Sequence, residues 1–340
     1  MEAGWGNKAI GELFKVVNGG TPKTGVPAYW DGKHQWITPA EMGGLPSPYV
    51  SSTRRSLTDE GLRVGAALIP TDSIILSTRA PIGHLVINQT PMAFNQGCKG
   101  LVPSSAISTK FAYYFLLANI SLLESLGTGT TFKELSGGKL KEVAFTHPTL
   151  PEQRRIVAIL DAAFAAIATA RAHTEQNLRN ARELFESQLA AVFSQRGAGW
   201  VTKPLGELCE FQRGLTYSKS NEVDFSDNIV LRANNIDLAT NTLNFSELKY
   251  IEDSVIVPVA KKVCKNSTII CTASGSKSHL GKAAYIDDDY GYAFGGFMGQ
   301  LTPSSSIHGR YLFHALTTPD YKNFIQNLSD GANINNLKFD

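Results

Sequence analysis

The pattern of apolar and polar positions singles out one long helix in the middle of the chain. Residues 151–195 contain no glycine and no proline after Pro151, and they are rich in strong helix formers. Apolar residues recur there mostly every three or four positions, which is the spacing of a face that packs against another helix. This predicted seam consists of Ile156, Leu160, Ala163, Ile167, Ala170, Leu178, Ala181, Phe185, Leu189 and Val192. At 1.5 Å per residue the helix would be about 67 Å long, which exceeds the core of a small domain and favours a coiled-coil spacer.

The stretches on either side of this helix have a mixed pattern. Short runs rich in β-branched and apolar residues, such as Ser73–Ser77 and Ser267–Cys271, are bounded by turn residues and predict strands. Each stretch also contains one segment with helical periodicity, Thr109–Leu126 in the first and Arg310–Leu328 in the second. Both stretches are therefore predicted to be α+β domains, with small mixed sheets and short helices.

The two stretches repeat one another. Trp5, Gly11 and Gly19 recur as Trp200, Gly206 and Gly214 at a constant offset. The further matched pairs are Lys8/Lys203, Ile10/Leu205, Glu12/Glu207, Leu13/Leu208, Ala93/Ala293, Phe94/Phe294, Leu101/Leu301, Pro103/Pro303, Gly129/Gly331, Phe132/Ile334 and Leu135/Leu337. We expect one duplicated fold: a first domain at 1–150, the spacer helix at 151–197, and a second domain at 198–340 that is incomplete at its C-terminus.

Composition fits two globular domains and adds few constraints on chemistry. The chain has 340 residues and a net charge of +2, so any surface for nucleic acid must be a local patch. Its N-terminus shows no secretion signal, and no apolar run approaches the roughly 20 residues needed to span a bilayer, so a cytoplasmic protein without a membrane partner is expected. The four cysteines form no C-x-x-C pair, which favours free, mostly buried thiols over a zinc site.

Motifs for catalysis are weak. Gly275–Ala283 resembles a phosphate-binding loop, but the glycines are wrongly spaced and Ala283 replaces the magnesium-binding hydroxyl. The best catalytic candidate is Asp224 with Glu247 and Lys249, an arrangement used by magnesium-dependent nucleases. A nuclease thus remains an alternative, which incubation of the chain with magnesium and DNA would test.

Five motifs occur in order along the first domain and into the helix. They are Gly19–Thr24 with Tyr29–Gly32 and Trp36–Pro39, Ser77–Gly83, Phe94–Lys99, Gly127–Phe132 and Pro148–Ile156. This series closely resembles the target-recognition domain of type I restriction-modification specificity subunits, followed by the entry to that family's spacer helix. Leu205–Leu208 then resembles the opening of a second such domain.

The resemblance implies a non-catalytic subunit that recognises a split target in double-stranded DNA. Its partners would be adenine methyltransferase subunits and, through the complex, restriction and translocase subunits. S-adenosylmethionine, ATP and magnesium would be cofactors of the complex, and this chain itself would carry none. The family has a second helix antiparallel to the first. The sequence ends before it, so the chain would be a fragment or would borrow a helix from a partner.

Candidate DNA contacts are polar side chains in the loops that the motifs define, because recognition needs groups that reach base edges and cations that neutralise phosphates. In the first domain they are Lys23, Thr24, Arg79, Gln96, Lys99, Thr130, Thr131 and Lys133. In the second domain they are Arg213, Tyr217, Lys219, Arg232, Asn234, Asn235, Lys277, Lys282, Asn333 and Asn335. Neutralising Lys99 or Lys133 should weaken binding to all sequences and lower its salt dependence. Trp30 and Trp36 are expected in the core.

Two further expectations concern protein partners. A scaffold that binds only protein through its helix would explain the seam without any DNA surface. An uncovered apolar stripe of this length should also find a partner, so self-association through the seam is expected, and a monomeric mass by light scattering would reject it.

Overall fold

The computed structural model describes residues 5–79, 81–129, 133–195, 197–328 and 335–337. Its contacts divide the chain into two compact units, Met1–Ala172 (unit 1) and His173–Asp340 (unit 2). The long helix begins in unit 1 and ends in unit 2.

Unit 1 is built from strands and short helices. The strands are β1 (Gly6–Ala9), β2 (Phe14–Asn18), β3 (Trp30–Ile37), β4 (Tyr49–Val50), β5 (Arg55–Leu57), β6 (Leu68–Ile69), β7 (Ile74–Thr78), β8 (Ile82–Asn88), β9 (Met92–Phe94), β10 (Cys98–Pro103) and β11 (Ala144–His147). The helices are α1 (Ile10–Leu13), α2 (Pro39–Met42), α3 (Asp59–Gly65), α4 (Thr109–Ala118), α5 (Ile120–Ser125) and α6 (Gly137–Glu142). The main sheet has the order β2-β10-β7-β8-β4, and a second sheet has the order β5-β3-β9-β6.

Alternation along β7 explains how these layers pack. Successive side chains of a strand point to opposite faces of its sheet. Ile74 and Leu76 therefore join one core cluster with Phe111 of α4 and Leu123 of α5, whereas Ile75 joins another. That second cluster also contains Ile37 of β3 and Phe94 of β9. The main sheet is thus covered by helices on one face and by the second sheet on the other.

Unit 2 repeats this arrangement. Its strands are β12 (Cys209–Arg213), β13 (Glu222–Val223), β14 (Asn228–Leu231), β15 (Lys249–Ile251), β16 (Thr268–Cys271), β17 (Ala273–Ser274), β18 (Ala283–Tyr285), β19 (Ala293–Phe294), β20 (Met298–Pro303) and β21 (Asn335–Asn336). Its short helices are α8 (Leu205–Leu208), α9 (Gly309–Ala315) and α10 (Pro319–Leu328). Unit 1 has a short 3-10 turn at Pro27–Tyr29. Unit 2 has such turns at Lys219–Asn221, Ala233–Asn235, Val259–Lys261 and Lys277–His279.

The strand order β12-β20-β16-β18 of unit 2 matches β2-β10-β7-β8 of unit 1. In both units a parallel pair forms the second layer, β3 with β9 and β14 with β19. The Leu135 amide donates to the Thr78 carbonyl, and the Leu337 amide donates to the Thr272 carbonyl, so the last matched pair of the repeat also holds. The prediction of two similar α+β domains is confirmed.

Each predicted helical segment outside the spacer is split in two. In unit 1, α4 ends and α5 begins at Asn119, whose side-chain amide donates to the Phe115 carbonyl. In unit 2, α10 begins at Pro319, which has no amide hydrogen to continue the preceding helix. The periodicity located both segments, and local capping divides them.

The spacer is the 45-residue helix α7 (Leu150–Ser194), as the sequence predicted. Gln153 is its buried residue among those described and fixes its start to unit 1. The Gln153 side chain donates to the carbonyls of Ala106 and Pro148 and accepts from the Ser108 amide. About two turns further on, the Asp161 carboxylate accepts from Lys110 at 2.7 Å and from the Tyr114 hydroxyl at 2.6 Å.

Most of the predicted seam is exposed to solvent. Ile156, Leu160 and Leu189 are half-buried, and the other seam residues are exposed. The helix contains an 18-residue window of mean hydropathy 1.5 with no more than two charged residues, so by length and composition it could cross a membrane. This helix does not fit the expectation that no apolar run approaches the length of a membrane span. The window is not buried in the structure, and a single helix of this kind is only weak evidence for a membrane span.

The predicted core tryptophans and thiols are placed as expected. Trp30 and Trp36 are buried in edge-to-face contact, with 5.1 Å between ring centroids. Cys98, Cys209 and Cys271 are buried free thiols, and Cys264 is free and partly exposed.

Candidate nucleic-acid interface

Unit 1 has a cleft where three of its strands end. Strands β3, β7 and β9 finish at Ile37, Thr78 and Phe94, and the residues that follow them form its walls. This cleft, called cleft 1, has a volume of about 330 Å³. It is lined by Thr38, Pro39, Ala40, Arg79, Asn95, Gln96 and Gly97. Cleft 1 therefore brings together Arg79 and Gln96, two of the predicted DNA contacts that are far apart in sequence.

A loop that begins at Gly19 is bound to the wall of cleft 1. The Asn95 side chain donates to Thr21 Oγ1 at 2.9 Å and accepts from the Gly97 amide at 2.9 Å. The Thr21 hydroxyl in turn donates to the Gln96 side-chain oxygen. These bonds hold the loop that carries Lys23 and Thr24, whose side chains are exposed.

Gly19 is required by a close approach of two backbones. A Cβ atom at this position would lie 2.0 Å from the carbonyl oxygen of Asn95. Unit 2 repeats the approach, since a Cβ at Gly214 would lie 2.0 Å from the carbonyl oxygen of Gly295. The repeated glycine is thus explained by the way each loop packs on its cleft.

Lys133 lies beside cleft 1. The backbone of its neighbour Glu134 forms an isolated bridge with Arg79, and both Arg79 and Lys133 have exposed side chains. Both cations are therefore accessible to solvent near cleft 1. Thr130 and Thr131, which were predicted as contacts in the same segment, lie outside the described residues.

Unit 2 has a larger cleft at the equivalent place, called cleft 2, with a volume of about 630 Å³. It is lined by Leu215, Thr216, Tyr217, Lys219, Glu222, Arg232, Ala233, Asn234, Ala273, Gly295, Gly296, Phe297 and Met298. Four of the predicted contacts meet in it: Tyr217, Lys219, Arg232 and Asn234. Burial, with the negative charge of Glu222, raises the pKa of the Tyr217 phenol, which therefore remains a proton donor at neutral pH.

Three predicted contacts are withdrawn into the protein. Lys99 on β10 is 8% exposed, and Lys282 is 7% exposed with its ammonium donating to the Ile236 carbonyl at 3.0 Å. Asn235 is 1% exposed, and its amide donates to the carbonyls of Asn244 and Glu247. These side chains serve the fold, so the structure does not favour them as DNA contacts.

The remaining predicted contacts are more scattered. Arg213 is exposed at the end of β12, and its carbonyl accepts from the Lys261 ammonium at 2.7 Å. Asn333 lies outside the described residues. Lys277 and Asn335 are described only in their backbone, in a 3-10 turn and in β21.

Several residues that line the clefts were not predicted from the sequence. Thr38 and Asn95 both lie within the recognised motifs, so the motifs could have suggested them. Phe297 is 67% exposed at cleft 2, and it lies in a glycine-rich stretch, Gly295–Gly299. Its equivalence to Gly97 becomes visible only through strand pairing, because the Thr78 amide donates to Gly97 and the Thr272 amide donates to Phe297.

Lys249, one of the three residues of the alternative nuclease site, pairs with an acid outside that trio. Lys249 forms an ion pair with Glu222 at 2.7 Å, and this hydrogen bond lowers the pKa of the Glu222 carboxyl. In the described part of the chain, no group of three or more His, Cys, Asp or Glu side chains could hold a metal ion. The predicted trio of Asp224, Glu247 and Lys249 thus gains no support from the geometry.

Comparisons with known proteins agree on one family. The model described as "Type I restriction modification DNA specificity domain" matches residues 2–179 and again residues 198–340. The type I restriction enzyme MjaIX specificity subunit of Methanocaldococcus jannaschii is 28% identical over 227 residues, or 62% of this chain and 52% of that protein. The EcoKI specificity subunit of Escherichia coli K12 is 33% identical over 143 residues, or 41% of this chain and 30% of that protein. The chain thus spans about half the length, or less, of these curated relatives.

Solved structures agree on the fold. A chain from a study of complex assembly and conformational transition of the type I R-M system has a TM-score of 0.71 at 16% identity, covering 99% of this chain and 84% of that chain. The HsdS subunit from Thermoanaerobacter tengcongensis has a TM-score of 0.57 at 15% identity, covering 96% of this chain and 81% of that chain. At these identities the likeness concerns the fold alone.

Proposed function

Since the chain belongs to the type I restriction modification DNA specificity domain family, we propose that it is the DNA-recognition subunit of a type I restriction-modification complex. The observation that carries this proposal is the duplicated cleft. One fold occurs twice, and in each copy polar and basic side chains line a cleft at equivalent strand ends. Two similar recognition domains on one chain suit a DNA target in two parts.

In this proposal each cleft approaches one half of the target. Exposed Lys23, Arg79 and Lys133 in unit 1 would contact phosphates and set the register of the protein on the duplex. Polar groups within the clefts would contact base edges, where donors and acceptors distinguish the four base pairs. The chain would be non-catalytic and cytoplasmic, and methylation and cleavage would belong to partner subunits.

The proposed protein partners are adenine methyltransferase subunits and, through them, restriction and translocase subunits. The open seam of α7 supports a further contact with a helix, either from another copy of this chain or from a partner. Side chains such as Ile167, Leu178, Phe185 and Val192 are more than half exposed, which costs free energy unless they are covered.

The Lys133→Gln substitution should weaken DNA binding about equally on all sequences. A lysine that neutralises a phosphate releases a counterion, so its loss should lower the slope of log affinity against log salt by about 1. The measurement is a titration of labelled duplex with the full chain at several salt concentrations. The sequence predicted the same effect for Lys99, but that side chain is buried, so the prediction is kept for Lys133 alone.

Arg155→Gln is the matched control, since it removes one positive charge from the spacer helix, where Arg155 pairs with Glu152 at 2.7 Å. Its salt slope should equal that of the wild type. Equal slopes for Lys133→Gln and the wild type would remove Lys133 from the interface.

A further inference from the structure

The two clefts are equivalent, but each takes its arginine from a different wall. Strand pairing aligns the positions: Ile37 pairs with Phe94 in unit 1, and Leu231 pairs with Phe294 in unit 2. The next residue on the first strand is Thr38 in unit 1 and Arg232 in unit 2. Arg232 therefore occupies the wall that Thr38 forms in cleft 1.

The opposite wall shows the reverse exchange. Thr78 and Thr272 are equivalent, because their amides donate to the equivalent carbonyls of Gly97 and Phe297 at 2.8 and 2.9 Å. The residues that follow are Arg79 in unit 1 and Ala273 in unit 2. Cleft 1 thus has an arginine opposite a threonine, and cleft 2 has an alanine opposite an arginine.

The backbone of Arg232 is held firmly. Its amide donates to the side-chain oxygen of Asn235 at 2.9 Å. The amide group of Asn235 is bound in turn to the carbonyls of Asn244 and Glu247, each at 2.9 Å. Asn235, which sequence analysis placed at the DNA, instead fixes the direction from which Arg232 enters cleft 2.

The guanidinium of Arg232 has unused hydrogen-bonding capacity. Its Nε atom is buried and has no hydrogen-bond partner among the described residues. Glu222, the acid that lines the same cleft, is engaged by Lys249 at 2.7 Å. A buried donor without a partner is costly, so a movement of the guanidinium that brings it to a ligand acceptor would remove that cost.

Building on the proposed function, we propose that Arg232 is a specificity-determining residue that reads a guanine in the half-site of unit 2. A planar guanidinium donates two parallel hydrogen bonds to O6 and N7 of guanine in the major groove. A phosphate could accept the same pair of bonds. The buried Nε of Arg232 and the apolar Ala273 and Phe297 in the lining of the same cleft favour a base edge, and exposed cations such as Lys219 remain available for phosphates.

The test selects duplexes with the full chain from a pool randomised over the target, alone and with its methyltransferase subunits, and reads the enriched sequences. Wild type should enrich a guanine at one position of the unit 2 half-site. Arg232→Gln should reduce that preference by about tenfold or more at this position only. Arg232→Lys should weaken the preference with an unchanged salt slope, because a flexible ammonium keeps the charge but directs its hydrogen bonds to O6 and N7 less well than a planar guanidinium does. Arg155→Gln, on the spacer helix, is the control and should leave the guanine preference unchanged.

A phosphate contact predicts otherwise. Arg232→Lys would then behave as the wild type, Arg232→Gln would weaken binding to every sequence, and either result would overturn the proposal. Melting curves that match that of the wild type would show that the variants are folded. If Arg232→Gln does not fold, Arg232→Lys still tests the proposal, because lysine keeps most of the side-chain volume. If the wild type enriches a motif that both variants retain, this inference fails alone. If the wild-type chain enriches no sequence, either alone or with the methyltransferase subunits, both this inference and the proposed function fail.

Discussion

The Gly19→Ala substitution should destabilise unit 1 by about 3 kcal/mol and abolish its contribution to DNA recognition. The new Cβ would lie 2.0 Å from the Asn95 carbonyl oxygen and 2.7 Å from the Phe94 ring. A backbone oxygen cannot rotate away, so the loop must separate from the cleft wall. The bonds that join Thr21 to Asn95 and Gln96 would be lost with that contact.

Gly25 provides a control in the same loop, because no atom lies within 4 Å of a Cβ at that position. Urea denaturation of the full chain and duplex titration should separate Gly19→Ala from Gly25→Ala, with the latter close to the wild type. Similar stabilities and affinities for the two variants would contradict the close packing of the loop on cleft 1.

The Phe145→Ala substitution should cost about 3–5 kcal/mol of the stability of unit 1. Phe145 on β11 is fully buried, and its ring contacts those of Phe14, Phe111 and Phe115 with centroids 5.3, 6.1 and 4.2 Å away. The strand that carries it pairs with β1 and leads into the spacer helix. Loss of the ring would therefore leave a cavity where the two chain segments and the helices meet.

Phe225→Ala is the matched control, since Phe225 is 79% exposed in unit 2 and has only its Tyr250 ring contact to lose among the aromatic pairs described. Its cost should stay below about 1 kcal/mol. Circular dichroism during urea denaturation would measure both variants. A loss below about 1 kcal/mol for Phe145→Ala would show that this aromatic cluster is not the centre of the unit 1 core.

The elements that sequence analysis located best are those with a long-range pattern. The helix Leu150–Ser194 follows from its uninterrupted periodicity, and the shared fold follows from matched pairs such as Gly19 and Gly214. Each signal repeats over many residues, so local exceptions do not hide it.

The candidate site was harder to predict because strand pairing assembles it. Lys99 and Lys282 carry the charges expected of DNA contacts, but their positions in the sheet region turn them inward. The identity of a residue does not show on which side of a loop or sheet its side chain lies. Nor could sequence alone show that Arg79 and Arg232 stand on opposite walls of equivalent clefts, since that depends on the registers of β3 with β9 and of β14 with β19.

Mapping of methylated adenines tests the proposed function most directly. The chain would be co-expressed with its adenine methyltransferase subunit, and the host DNA would be compared with that of cells that contain the methyltransferase alone. We expect methylation of a motif in two parts only when the chain is present, and a palindromic motif would indicate two copies that each use one recognition domain. Methylation at the same sites without the chain, or none with it, would contradict its role as the DNA-recognition subunit.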